Sequence, residues 1–93
     1  MNTKKVWFIT GASKGLGLIL TKKLLLRGCN VASTSRNKQS LIKEIGEENE
    51  NFLPIEMDLT KNENVKKAIQ TTISHFGRID VLVNNAGYSQ IGT

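Results

Sequence analysis

The feature that most constrains this chain is a short apolar run followed at once by a glycine-rich turn. The apolar residues Val6 to Ile9 are typical of a strand buried on both faces. The turn has the spacing Thr-Gly-x-x-x-Gly-x-Gly, formed by Thr10, Gly11, Gly15 and Gly17, and an apolar segment with helical periodicity opens at its last glycine. Strand, glycine turn and helix in this order place a helix N-terminus where it can bind a phosphate.

The glycine spacing excludes two other phosphate-binding loops. Leu16 stands where a P-loop needs its second glycine, and Ser13 stands where the Gly-x-Gly-x-x-Gly fingerprint needs one. In the spacing found here, Gly11 allows a sharp turn, Gly15 lets the backbone approach a pyrophosphate, and Gly17 lets the helix pack closely on the sheet. The alternative is an ordinary strand–helix turn that is rich in glycine.

Strand and helix patterns alternate along the rest of the chain. Further strands are expected at 30–35, 52–57 and 80–84, and Pro54 places the strand containing it at an edge or a strand start. Helices are expected before Gly28, after an Asn37 cap, and before Gly77. This βαβαβαβ order predicts an α/β fold with a parallel sheet, helices on both of its faces and strand order 3-2-1-4.

Two local patterns make sharper predictions about the helices. A stripe at helical spacing predicts the buried face of the first helix, and it consists of Leu16, Ile19, Leu20 and Leu24. The run from Thr60 to Glu63 has the sequence of a capping box, which predicts that the Thr60 side chain caps the third helix.

Composition limits the class of protein. The 93 residues allow one small domain, and the net charge of +5 comes from scattered lysines, which favours solvated helix faces over a nucleic-acid surface. Cys29 is the only cysteine, so an internal disulfide is impossible and a reducing cytoplasm fits. No apolar run approaches the ~20 residues of a membrane span, and no cluster has metal-ligand spacing.

The end of the second strand carries information about the cofactor. In a dinucleotide-binding fold, a carboxylate at this place binds the ribose hydroxyls of NAD. Here the strand ends in Ser35 and is followed by Arg36, whose guanidinium suits a 2′-phosphate, and Lys14 in the glycine turn adds a second positive charge. These residues favour NADP(H) over NAD(H). The alternative is that both cations are surface residues.

Together these motifs resemble the front of a short-chain dehydrogenase/reductase, with a Rossmann-type doubly wound sheet. The resemblance covers nearly the whole chain, and it rests on the run from Thr10 to Gly17, on Asp58, and on the sequence Asn-Asn-Ala-Gly at 84–87. It implies that the glycine turn holds the cofactor pyrophosphate, that Asp58 and the Leu59 backbone bind adenine, and that Asn84 ties the central strands together. The cofactor-binding set implied is Gly11, Ser13, Lys14, Gly15, Leu16, Gly17, Arg36, Asp58, Leu59, Asn85, Ala86 and Gly87.

The chain departs from the family at the catalytic residues. The family uses a Ser, an Asn and a Tyr-x-x-x-Lys pair, but the only tyrosine here is Tyr88, and Gly92 stands four residues after it. No catalytic residue is therefore expected in residues 1–93, which are interpreted as the truncated N-terminal part of a cofactor-binding domain. The resemblance implies an NADP(H)-dependent oxidoreductase of carbonyl or alcohol substrates, homo-oligomeric when complete. The alternatives are a non-catalytic nucleotide-binding module and an inactive fragment.

Overall fold

In a computed structural model, which describes residues 4–85, strands and helices alternate as the sequence predicts. The strands are β1 (Val6–Ile9), β2 (Asn30–Ser35), β3 (Phe52–Glu56) and β4 (Val81–Val83). The helices are α1 (Gly15–Leu26), α2 (Lys38–Glu44) and α3 (Asn62–Phe76). The four strands form one parallel sheet in the order β3-β2-β1-β4, which confirms the predicted α/β topology.

Helices cover both faces of the sheet, so the core has two layers. On one face, α3 packs against a cluster that contains Phe8, Ala32 and Leu53. On the other face, α1 and α2 pack against a cluster that contains Ile9 and Val31. Alternate residues of β1 therefore enter opposite layers, because successive side chains of a strand point to opposite faces.

The turn and cap residues act largely as predicted. Gly28 (φ 84°) follows α1 and Gly77 (φ 92°) ends α3, both in the left-handed region that glycine adopts easily. The Asn37 side chain accepts a hydrogen bond from the Gln39 N–H at 3.0 Å and so caps α2. Pro54 lies in β3, an edge strand of this sheet.

The predicted capping box is wrong. The N-cap of α3 is Lys61, and no side chain caps the helix there. The Thr60 hydroxyl donates instead to Asp58 Oδ1 at 2.7 Å, and the Thr60 N–H donates to the same oxygen at 3.0 Å. The carboxylate two residues earlier is a charged acceptor, so it takes the hydroxyl that would otherwise have capped α3.

The predicted buried face of α1 is also wrong in half of its members. Leu16 is 73% exposed and Ile19 is 53% exposed, whereas the buried residues of α1 are Gly17, Thr21 and Leu24. Gly17 lies close against the glycine turn, and the Thr21 hydroxyl oxygen lies 3.0 Å from that of Ser33 in β2, so small residues occupy this part of the buried face. The exposed side chains, together with Leu82 of β4, line an open apolar groove of about 700 Å³ beside β4.

Candidate cofactor site

A cavity lies at the carboxyl ends of the parallel strands, where ligands bind in open α/β sheets. Its volume is about 830 Å³, within the range of small-molecule sites. It is lined by the glycine turn, by the segment from the end of β2 into α2, by the segment after β3, and by Asn85 after β4. The predicted residues among them are Gly11, Ser13, Lys14, Gly15, Leu16, Arg36, Asp58, Leu59 and Asn85.

One described residue of the predicted set does not line this cavity. Gly17 is buried and is not part of the lining. Ala86 and Gly87 lie outside the described residues. The cavity adds residues that the sequence reasoning missed, among them Thr34, Ser35, Ser40 and Thr60. Their sequence signal was weak: Thr34 and Ser35 are hydroxyl residues at the end of β2, and Ser40 and Thr60 stand alone.

The glycine turn is held open toward the cavity. Gly11 (φ 61°) and Gly15 (φ 66°) both adopt the left-handed region. A side chain built on Gly15 would meet no protein atom within 4 Å, so the space beside it is free for a ligand. No side chain caps α1, and no acidic residue lies in its first turn. Its first N–H groups are therefore available to an anion such as a pyrophosphate, and the site fits a dinucleotide.

Hydrogen bonds fix the turn to the strands on either side. The Ala12 N–H donates to the Thr34 carbonyl at 2.9 Å, which links the turn to β2. The Thr10 hydroxyl donates to Asn84 Oδ1 at 3.1 Å, and the Thr10 N–H donates to the Val83 carbonyl at 3.0 Å. These bonds to β4 and the residue after it agree with the role that the resemblance gave to Asn84.

A buried pair of hydroxyl groups links α1 to β2 close to the glycine turn. Thr21 and Ser33 are fully buried, and their hydroxyl oxygens lie 3.0 Å apart. The Thr21 hydroxyl also lies 2.8 Å from the Gly17 carbonyl, to which it donates. Since each hydroxyl can donate one hydrogen bond and accept others, this arrangement satisfies both groups inside the core. It joins α1 to β2 directly beneath the cavity.

The charges around the cavity are mostly positive. Lys14 and Arg36 are exposed and line it, and Asp58 is the only carboxylate of the described residues that does so. The two hydrogen bonds from Thr60 hold the pKa of Asp58 below its ordinary value, with smaller contributions from the positive charges of Lys61 and Arg36. Asp58 is therefore ionised at neutral pH. Its Oδ1 is already engaged by Thr60, and within residues 4–85 neither Lys14 nor Arg36 forms an ion pair with a carboxylate.

Comparison with known proteins identifies the family. The family model for short chain dehydrogenases matches residues 5–93, and the chain belongs to this family. It is 41% identical over 88 residues to the oxidoreductase BOA17 of Botryotinia fuckeliana, covering 91% of this chain and 31% of that protein. It is 42% identical over 91 residues to 11-beta-hydroxysteroid dehydrogenase 1A of Arabidopsis thaliana. That match covers 94% of this chain and 26% of that protein.

A solved structure supports the same assignment. The 3-ketoacyl-(acyl-carrier-protein) reductase of Brucella melitensis, determined in complex with NADH, superposes with a TM-score of 0.77 at 32% identity. The match covers 84% of this chain and 32% of that one. The chain thus spans about a third of the length of its relatives. Its fold is the nucleotide-binding fold of the short-chain dehydrogenases. No helix in residues 4–85 has the length and apolarity needed to cross a membrane.

Proposed function

We propose that the cavity binds NADP(H) in preference to NAD(H). The observation that carries this proposal is that Lys14 and Arg36 line one cavity together, beside a β2 strand that ends in a serine. A 2′-phosphate bound there would be attracted by two cations, and a carboxylate in place of Ser35 would repel it. The remaining predicted residues, including Ala86 and Gly87, belong to the same proposed site.

The nearby acids do not cancel this preference. Glu56 is the register partner of Ser35, but its carboxylate accepts from the Lys38 N–H at 3.3 Å and does not line the cavity. In the described part of the chain, Arg78 and Asp80 form the only ion pair. Arg36 therefore keeps its charge for a ligand. An NADH complex of a relative shows that the family also includes sites for the unphosphorylated cofactor, so the preference has to come from side chains at this edge.

We further propose that residues 1–93 are the N-terminal part of a longer oxidoreductase. When bound, the cofactor supplies or accepts a hydride, and the substrate would be a carbonyl compound or an alcohol. This segment binds and orients the adenosine and pyrophosphate portions, and the proton-transfer residues lie elsewhere in the whole protein. A homo-oligomeric protein in the cytoplasm is part of the same proposal, and it rests on the family resemblance and on the single cysteine.

A second candidate is a nucleotide-binding module without catalysis. It is favoured by one observation, the absence of a Tyr-x-x-x-Lys pair from the sequence. The two candidates differ in one measurement. A longer gene product containing this segment should oxidise NADPH when a ketone is added, whereas a binding module should bind NADPH and leave it unchanged.

The cofactor preference is tested by equilibrium dialysis of the 93-residue chain against NADP⁺ and NAD⁺. We expect tighter binding of NADP⁺, and Arg36→Asp should shift the ratio of the two dissociation constants by roughly ten- to a hundredfold toward NAD⁺. Lys22→Asp is the matched control. Lys22 is exposed on α1 and does not line the cavity, so this substitution makes the same change of charge away from the proposed site. Tighter binding of NAD⁺ by the parent chain would contradict the proposal.

A further inference from the structure

One peptide group in the glycine turn is held at both of its ends. The carbonyl of Gly11 accepts from Asn85 Nδ2 at 3.0 Å, and the N–H of the same peptide, on Ala12, donates to the Thr34 carbonyl at 2.9 Å. The peptide thus bridges the carboxyl ends of β2 and β4. On the β2 side the partner is backbone, and on the β4 side it is a side chain from a residue 74 positions away.

The orientation of this peptide matters for an anion in the cavity. Gly11 lines the cavity and has a φ of 61°, and a peptide next to a glycine can rotate with little steric cost. If the Gly11 carbonyl left Asn85, its oxygen could turn toward the cavity, where it would repel phosphate oxygens. In the structure the Gly11 carbonyl accepts a hydrogen bond from the Asn85 amide, and this bond opposes such a rotation.

Gly17 explains why Asn85 can reach the carbonyl. A Cβ at Gly17 would lie 2.8 Å from the Gly11 oxygen and 2.9 Å from Asn85 Nδ2, which are the two atoms of the hydrogen bond. It would also lie 3.1 Å from the Cα of Ala12. These distances are too short for a real side chain. The last glycine of the motif therefore makes room for this hydrogen bond, which fits its absence from the cavity lining.

We propose that Asn85 is a positioning residue, whose amide holds the Gly11–Ala12 peptide in the orientation that accepts the cofactor pyrophosphate. The inference rests on the proposed dinucleotide binding. It gives the Asn85 side chain a role other than the direct cofactor contact that the family resemblance implied, because its amide nitrogen donates to the turn.

The experiment replaces Asn85 by a neutral residue of similar size. Asn85→Leu removes the donor without adding charge. We expect NADP⁺ binding to weaken about tenfold or more in equilibrium dialysis. We also expect the Ala12 amide to exchange its hydrogen faster by NMR in the absence of any ligand. The matched control is Asn51→Leu, which removes a 2.8 Å bond from Asn51 Nδ2 to Asn30 Oδ1 at the opposite end of the sheet. It should change neither measurement.

A double-mutant cycle separates positioning from general damage. Gly17→Ala should weaken binding and loosen Ala12 in the same way, because its methyl group displaces the amide from the carbonyl. If both substitutions act through one hydrogen bond, their combination should be no worse than the stronger single variant. Full additivity would overturn the inference.

The remaining outcomes distinguish this inference from the proposed function. A parent chain that binds neither NADP⁺ nor NAD⁺ overturns the proposed function, and the inference falls with it. A parent that binds NADP⁺, with an Asn85→Leu variant that binds equally well and keeps Ala12 protected, overturns the positioning role alone. Should Asn85→Leu fail to fold, Gly17→Ala and its Ala12 exchange rate decide the question.

Discussion

The two ends of the sheet differ in how their basic side chains are paired. At the amino end, a charged pair closes the structure: Arg78 Nε donates to Asp80 Oδ2 at 2.9 Å, and the same oxygen accepts from the Val6 N–H at 2.8 Å. At the carboxyl end, neutral amide and hydroxyl groups hold the glycine turn, and the cations Lys14 and Arg36 form no ion pair with a carboxylate of residues 4–85. Among the described residues, the ion pair thus lies at the amino end, and the cations beside the cavity are not part of one.

This difference has a physical reason. A carboxylate paired with Arg36 would compete with an anionic ligand, whereas a neutral amide such as that of Asn85 can fix the backbone without offering a charge. The comparison therefore predicts that substitutions at the two ends separate stability from binding. Only buried residues packed directly against the glycine turn, such as Gly17, should affect the two together.

The largest effect is expected from Gly17→Val, which should damage both properties. Its Cβ would enter the contact between Gly11 and Asn85, and two further methyl groups cannot fit a buried position where helix and turn already touch. Overpacking of this kind costs about 3 kcal/mol. Thermal unfolding followed by circular dichroism should show a Tm lower by more than ~10 °C. An unchanged Tm would mean that α1 can move away from the sheet at no cost.

Gly15→Val should separate the two properties at the carboxyl end. Gly15 has open space around it, so the substitution should lower the free energy of unfolding only through the left-handed backbone, by about 1–2 kcal/mol. Its methyl groups would occupy the space proposed for the pyrophosphate. The free energy of NADP⁺ binding should therefore decrease by more than the free energy of unfolding. A matched control is Gly46→Val, which also has positive φ (136°) and open surroundings but lies away from the cavity. Normal NADP⁺ binding by a less stable Gly15→Val chain would leave Gly15 with a backbone role alone.

Asp80→Asn tests the amino end. It removes the charge that pairs with Arg78 while keeping an oxygen for the Val6 N–H, so the chain should unfold at a lower temperature and bind NADP⁺ with unchanged affinity. The decrease in Tm should be smaller than for Gly17→Val, because Asp80 is exposed. If NADP⁺ binding weakened in parallel with Tm, the two ends of the sheet would not be independent.

The sequence predicted the fold more fully than the site. The strand order followed from alternating strand and helix patterns, and the helix ends followed from Gly28 and Gly77. The buried face of α1 could not be found by periodicity, because leucines and isoleucine lie on several sides of that helix and the sheet selects its small residues. Cavity residues such as Arg36 were visible because their chemistry is local. The bond between Asn85 and Gly11 joins distant parts of the chain, and only the packed structure shows it.

The smallest expected effect is the dependence of stability on acid. The pKa of Asp80 lies below its ordinary value, chiefly because the Val6 N–H donates to its carboxylate, and that of Asp58 is lowered chiefly by Thr60. In the unfolded chain both groups should titrate near 3.9. As pH falls below about 5, the unfolded state therefore binds protons before the folded state does. Stability from these two groups is complete above that range, and it is lost as pH falls through the lowered pKa values of the folded state.

Urea unfolding at a series of pH values from 7 to 3 should show a plateau followed by a decline. In Asp80→Asn the decline should be shallower, because one of the two titrating groups from opposite ends of the sheet is gone. An equally steep decline in the variant would assign the acid sensitivity to the Asp58 end or to other carboxylates.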